Sequence, residues 1–340
     1  MHRVYNTNEW SCRRARPPGV LAIRSANQLE TRALRYFQTV AECGSYSRGA
    51  ELLRISQPAV SRQIGKLEDE LGTRLFQRHS HGVNLTGAGQ ILLERCQAVL
   101  RELEQTTQEI RNGAQGPSGS IALAVPPAAA HFLVPALVQR FGARYPNVFL
   151  KLVGGFSGHI HEWLVRGQVD ISCLHDPLPQ KGFEITPLLR EEVFLVGQPG
   201  ARLLDRARIG IADLADLPLI VPSRPNASRR LLDTWVARTG VTLNIRAEAD
   251  DHSIIRAMIR AGIGYTLLTQ GAFELDRQHG TVAAVRFRPR AYWPLAIVRA
   301  SGAPLGTSRS DMLDRFHETI REAARDLARS GVWPCVLIDR

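Results

Sequence analysis

Between Leu29 and Cys43 the segment LETRALRYFQTVAEC places Leu34, Phe37, Val40 and Ala41 at i, i+3, i+6 and i+7. That spacing is one face of a helix, and Gly44 ends it. Ser47 is then positioned to cap a short second helix carrying Ala50, Leu52 and Leu53. Ser56 caps a third, SQPAVSRQIGKLEDELG, with Pro58 in its first turn, where a missing N–H costs nothing, and Gly72 as its stop. Val60, Ile64, Leu67 and Leu71 share the apolar face of this helix, and Gln57, Ser61, Arg62 and Lys66 lie on the other.

Two such helices joined by Arg54, Ile55 and a cap predict a helix-turn-helix whose second member turns a basic, hydrophilic side outward. A solvated face explains most amphipathic helices. Here the short preceding helix and the caps favour an external partner whose base edges and phosphates accept hydrogen bonds. TRLFQRHSHGVNLTGAG follows, two short apolar runs around a His-Ser-His-Gly turn, and predicts a small hairpin or wing. Thr86 caps a long helix over Gly87–Asn112. In it Leu92, Cys96, Val99, Leu103, Thr106 and Ile110 recur at alternating steps of four and three, the seam of helix pairing between chains. GAQGPSG, residues 113–119, predicts a hinge.

Beyond the hinge, apolar strands alternate with helices. SIALAV, VFLKLVGG, VDISCL, EEVFLVGQ, LPLIVP, NIRAEA and YTLLT predict strands. HFLVPALVQRFGARY, HIHEWLVRG and stretches near Ser228–Thr239 and Ser253–Ala261 predict helices. The alternation argues for parallel α/β sheets with helices on both faces, and sites in such folds lie at strand carboxyl ends and helix amino ends.

The length of 340 residues implies two or three units, each with its own core. A formal charge of +11, carried almost wholly by arginine since only Lys66, Lys151 and Lys181 are lysines, favours an anionic partner. The five cysteines, Cys12, Cys43, Cys96, Cys173 and Cys335, show no CxxC or metal-ligand spacing, which fits a reducing cytoplasm and small buried hydrophobes. No apolar run approaches the roughly 20 residues of a membrane span. Residues 1–28 contain Arg13-Arg14 followed by a PPG break, so they read as a disordered basic extension or as a start placed too far upstream.

With these features together, LRYFQTVAECGSYSRGAELLRISQPAVSRQIGKLEDELGTRLFQR…LTGAG is similar to the amino-terminal pattern of LysR-type transcriptional regulators. The resemblance covers roughly Leu29 to Ala328 and is most specific up to Cys96. It implies a multidomain protein: a winged helix-turn-helix domain over 29–86, a dimerisation helix over 87–112, a hinge over 113–119, and a periplasmic-binding-protein type II-like α/β effector domain over 120–328. The effector domain would divide into one subdomain of 120–197 and 287–328 and a second of 198–286, with a tail over 329–340. That tail, SGVWPCVLIDR, is either docked or disordered. The resemblance further implies a homodimer or homotetramer on an inverted-repeat operator in double-stranded DNA, a small-molecule effector, RNA polymerase as a partner if the chain activates, and a cytoplasmic location.

Gln57, Pro58, Ser61 and Arg62 are then expected to face the major groove, Gln57 pairing with adenine and Arg62 with guanine or phosphate, each good base contact supplying about 1–3 kcal/mol of discrimination. Ser47, Ser56, Lys66, Arg78 and His81 complete the expected DNA contacts. The family often has arginine near the position of His81, so weaker wing anchoring, strengthening below about pH 6.5, is expected, with Arg78 taking the phosphate role. Dimerisation is expected through Leu92, Cys96, Val99, Leu103 and Ile110.

For the effector, the resemblance points to the cleft lined by PPAAAH, GGFSGH, VPSRPNAS and ADDHS. Ala128 and Ala129 offer only backbone donors where the family often has hydroxyls. Ser157, Ser223, Arg224, Asn226 and Asp251 are the expected polar contacts, and Arg224 together with the helix amino ends makes a small organic anion such as a carboxylic acid the leading class. Asp250 and Asp251 also read as caps for the helix that follows. No metal or other cofactor is expected, because His79-x-His81 and His159-x-His161 send their rings apart. No nucleophile and base stand together, and GGFSGH lacks a positioned base for Ser157, so the chain is not read as an enzyme. The alternatives are a constitutive repressor with a vestigial cleft and, against the residues, an enzyme in the α/β half.

Overall fold

The computed structural model describes residues 29–80, 82–112, 117–301 and 307–338. The proposed extension over 1–28, the wing residue His81, most of the hinge and the last two residues of the tail lie outside the described residues. The chain divides into two compact units, Met1–Thr86 and Gly87–Arg340.

In the first unit α1 (Thr31–Cys43) ends where Gly44 adopts the left-handed conformation, φ 62°. α2 (Tyr46–Leu53) follows, and α3 (Gln57–Leu71) ends at Gly72 with φ 66°. Ser47 does not cap α2. The cap is Ser45, whose hydroxyl accepts from the Arg48 N–H at 3.4 Å, and Ser47 lies exposed in the first turn. The helix starts as soon as the Gly44 turn has reversed the chain, which brings Ser45 rather than Ser47 to the end that needs an acceptor. Ser56 does stand at the cap of α3, though its side chain makes no capping bond; its carbonyl accepts from Val60 N–H at 3.2 Å. Phe37, Val40, Val60, Ile64, Leu67 and Leu75 fill the core. A Cβ at Gly49 would lie 2.8 Å from Val40 Cγ2, so glycine lets α1 and α2 cross closely.

The predicted wing is an antiparallel hairpin, β1 (Phe76–His79) and β2 (Gly82–Leu85), with Phe76 opposite Leu85. Two devices pin it to the helices. The buried Glu68 carboxylate accepts from Leu75 and Phe76 N–H at 2.8 and 3.2 Å and from Arg74 at 2.7 Å. The Val83 N–H donates to Gly44 O at 2.9 Å. A Cβ at Gly82, φ 149°, would approach Gly44 O to 2.3 Å, so no other residue fits without moving that backbone.

The second unit opens with α4 (Gly87–Asn112), then β3 (Gly119–Val125), α5 (Pro127–Arg144), β4 (Val148–Gly154), α6 (Ser157–Val165), β5 (Ile171–His175) and β6 (Phe183–Gly197). A short 3₁₀ turn (Ile211–Leu214) leads to β7 (Pro218–Val221), α7 (Ala227–Thr239), β8 (Asn244–Glu248), α8 (His252–Arg260), β9 (Thr266–Thr269), α9 (Gln270–Gln278) and β10 (Ala283–Arg286). β11 (Tyr292–Ala300), α10 (Thr307–Arg329) and β12 (Cys335–Leu337) complete it.

The sheet order is β10-β6-β11-β5-β3-β4, with β9 and β12 also paired to β6, while β7 and β8 form a separate parallel pair. The expectation of purely parallel sheets is corrected: β3 pairs parallel with β4 and β5, but every partner of β6 runs antiparallel. β6 is a 15-residue strand shared by two cores. Leu188 and Leu189 pack with β3, α5 and α10, whereas Val193 and Leu195 pack with Leu219, Leu267 and Trp293. The subdomain crossing therefore lies near Arg190–Glu192 on β6 and near Pro294 on β11, not at the expected 197/198 and 286/287. Gly197-Gln198-Pro199-Gly200 signals the end of a strand, whereas the crossing lies inside continuous strands with no turn, Pro294 being held within β11.

One more expected boundary changes, and one of the two readings of the tail is selected. α5 begins at Pro127 rather than at His131, because proline fits the first helical position. The tail is docked: Trp333 is fully buried, its Nε1–H donates to Glu191 at 3.1 Å, and Cys335–Leu337 pair with Leu189–Glu191 of β6.

Candidate DNA-reading face and effector cleft

The outward side of α3 carries Gln57, Pro58, Arg62 and Lys66, all exposed, with Ser61 half-buried. Among the described residues Gln57, Arg62 and Lys66 take no side-chain partner. Ser61 does: its hydroxyl accepts from Arg78 at 3.3 Å, and the Arg78 guanidinium lies 5.1 Å from the Tyr46 ring centroid. Arg78 is thus held beside α3 by an aromatic face, with hydrogen-bonding capacity left over. The sequence reading missed Tyr46 and Glu68, which steer this face without belonging to it.

On α4, Ile91, Val99, Leu103 and Ile110 are 65, 49, 42 and 76% exposed. Leu92 is half-buried, and Cys96, expected on the seam, is 2% exposed within the chain itself. Cys96 shares its helix face with Leu103 and Ile110, seven and fourteen residues on, but is covered within the chain together with Leu100, so Val99, Leu103 and Ile110 are the expected seam residues that stand exposed.

The α/β unit contains a cleft of about 540 Å3, open solvent at its mouth included. The amino ends of α5, α6, α7 and α8 meet at its walls through Ala128, Ser157, Ala227 and His252. Three pairs of groups fasten its rims. Ser157 Oγ accepts from Ala227 N–H at 2.7 Å, Asn226 Oδ1 accepts from Gly158 N–H at 2.9 Å, and Arg230 pairs with Asp176 at 3.0 Å. α9 closes against α5 at Gly271, where a Cβ would come within 2.1 Å of Ala128 O.

The expected effector contacts divide on inspection. Ala128, Ser157 and Asn226 line the cleft. Ala129 is fully buried in the core behind it, because starting α5 at Pro127 turns that position inward. Arg224 stands outside the cleft lining and forks onto Asp233 with two 2.9 Å bonds, holding that carboxyl below its ordinary range. Ser223 Oγ donates to Asp250 at 2.6 Å. Asp251 caps α8, accepting from Ser253 and Ile254 N–H at 2.8 and 3.0 Å, and is likewise absent from the lining. Among the described residues no arginine or lysine lines the cleft, so the cation on which the anion expectation rested is spent elsewhere.

What lines it instead is apolar wall, Pro126, Pro127, Phe156, Ile255 and Leu268, with His175, His252, Thr266, Thr269 and Trp293 between. His175 Nε2 lies 2.6 Å from the buried Glu191 carboxylate, which also holds Trp333. Burial, and then the Arg256 guanidinium, keep the His252 imidazole below its usual pKa. Thr269 ends β9 and caps α9, a position that the rule of strand carboxyl ends could have flagged; Trp293 arrives on a returning strand with no local signal. Burial pushes the Cys173 and Cys335 thiols up to about 12, leaving neither as a thiolate.

The chain matches two family models, "Bacterial regulatory helix-turn-helix protein, lysR family" over residues 31–90 and "LysR substrate binding domain" over residues 114–325. It is 32% identical over 308 residues, 91% of this chain and 94% of the other, to the HTH-type transcriptional regulator BbuR of Bordetella bronchiseptica. It is 31% identical to the nitrogen assimilation regulatory protein nac of Escherichia coli, covering 71% of this chain and 78% of that one. Among solved structures it shares its fold with CbnR, a LysR family transcriptional regulator, at a TM-score of 0.66 and 22% identity over 87% of this chain and 99% of that chain. The chain belongs to the LysR family, as a DNA-binding transcriptional regulator with an amino-terminal helix-turn-helix domain and an effector-binding α/β domain.

Proposed function

We propose that α3 enters the major groove of an inverted-repeat operator, that the chain acts as a homodimer or larger homo-oligomer through the exposed stripe of α4, and that a small organic molecule in the α/β cleft changes how paired reading heads engage DNA. The observation that carries this reading is the row Gln57, Arg62 and Lys66, unpartnered on the outer side of α3 while Arg78 is braced beside it. Unpaired polar groups on a rigid helix suit base edges, and the braced arginine suits a phosphate. The exposed stripe on α4 supports pairing with a second copy, since four large apolar side chains along one helix are otherwise left in water. An effector acts only through different affinities for the two arrangements of heads on DNA. A CbnR structure contains that regulator's target DNA, which makes a protein–DNA footprint the natural first experiment here. Footprinting the purified chain across the region upstream of its own gene is expected to give two protected half-sites about one or more helical turns apart. Uniform, unpatterned protection contradicts the reading.

A further inference from the structure

Three buried polar atoms on side chains that line the cleft have no hydrogen-bond partner among the described residues: Nδ1 of His252, Oγ1 of Thr269 and Nε1 of Trp293. Thr269 is 1% exposed and Trp293 7%. Buried polar atoms are nearly always bonded, so three in one cavity point to a ligand. Their chemistry is not uniform. The indole N–H only donates. His252 Nε2 lies 3.0 Å from Ala272 O, and a carbonyl only accepts, so Nε2 carries the proton and Nδ1 presents a lone pair. The threonine hydroxyl serves either way.

We propose that the cleft selects a small, flat, uncharged molecule carrying both a hydrogen-bond donor and an acceptor, of the aromatic-amide type, with its donor on His252 Nδ1 and its acceptor on Trp293 Nε1 or Thr269 Oγ1. This rests on the reading of the cleft as the effector site. Prolines, Phe156, Ile255 and Leu268 supply walls for a ring. A carboxylate of the same shape has no donor for Nδ1 and meets no arginine or lysine in the lining. The charged and titratable groups around His252 are Asp251 and Arg256 on its own helix, Asp276 from α9, and His175 in the same cleft. Asp251 is engaged as a cap, and Asp276 is held by Arg256 and Arg260, so the imidazole stays neutral and accepting near pH 7.

Benzamide and benzoate share a ring and a size and differ in donor and charge, which makes them the probes. In calorimetry on the full chain, benzamide is expected to bind about tenfold or more tightly than benzoate. Thr269→Val, which keeps the side-chain shape, and Trp293→Phe, which removes the N–H together with part of the ring, are each expected to weaken benzamide several-fold, with melting curves as the check on folding. Lowering the pH protonates Nδ1 and removes the acceptor, so benzamide affinity falls on acidification in the native chain and loses that dependence in His252→Phe. Equal or tighter binding of benzoate, unchanged benzamide affinity in both Thr269→Val and Trp293→Phe, or failure of both probes to bind overturns the assignment. Operator affinity measured on the same samples separates the two levels: intact DNA binding without amide selectivity counts against this ligand class alone, whereas absent DNA binding counts against the function on which it rests.

Discussion

The helix-turn-helix unit and the effector unit use their polar side chains in opposite ways. In the first, Gln57, Arg62 and Lys66 on the proposed reading face point outward and stay free, while Glu68 and Arg78 are spent on bracing. In the second, most side chains that look like ligand contacts are spent on one another: Ser157 on Ala227, Asn226 on Gly158, Ser223 on Asp250, Arg224 on Asp233. The unspent atoms are the inconspicuous ones, on His252, Thr269 and Trp293. Exposure therefore leaves the polar side chains of α3 free for a partner, whereas in a cleft with two rims to join it does not show which side chains are free.

The sharpest break in the comparison comes from removing the brace. Glu68→Ala leaves two buried N–H groups without an acceptor and is expected to lower stability by about 3 kcal/mol, read by urea unfolding, with loss of operator binding because the wing is no longer held. In the effector unit the corresponding test is acid. The Asp276 carboxyl, bonded to Arg256 and then Arg260, is held down at about 2 from an ordinary 3.8. A lowered pKa contributes stability above the unfolded value, so about 2 kcal/mol is present above pH 4 and lost as pH falls toward 2. Asp276→Asn should flatten that part of the stability–pH curve.

On the reading face, Arg62→Ala is expected to remove about 2 kcal/mol of specific DNA binding and little of the non-specific part, whereas Lys66→Ala lowers both and reduces the salt slope by about one. Filter binding at several salt concentrations distinguishes them, and equal losses from both would erase the difference in role. Ser157→Ala removes one rim bond and is expected to lower stability by about 1 kcal/mol while leaving operator affinity intact. Smallest of all, Arg224→Ala breaks an exposed ion pair, barely changes stability and leaves ligand affinity unchanged. A large loss of ligand affinity there would restore the arginine-held anion.

The same contrast explains what the sequence could tell. α3 was legible because its apolar spacing, Pro58 and Gly72 act within one helix, and the wing and α4 because their turn and cap residues are local. Ser47 was misread by two residues, since either serine satisfies the local rule and only the position of the Gly44 turn decides. The cleft was legible as a set of segments but not as a set of contacts. Arg224 finds Asp233 and Asn226 finds Gly158 through tertiary packing, and the cleft position of Trp293 depends on a crossing that β6 and β11 make inside continuous strands, without a turn.

On the proposed function, reading and sensing are carried by different polar groups in different units. Measuring operator affinity by fluorescence anisotropy for Arg62→Ala and Trp293→Phe side by side tests it most directly. Arg62→Ala is expected to lose specific binding by about tenfold to a hundredfold while Trp293→Phe, without ligand, binds as the native chain does. Comparable losses in both variants would contradict it.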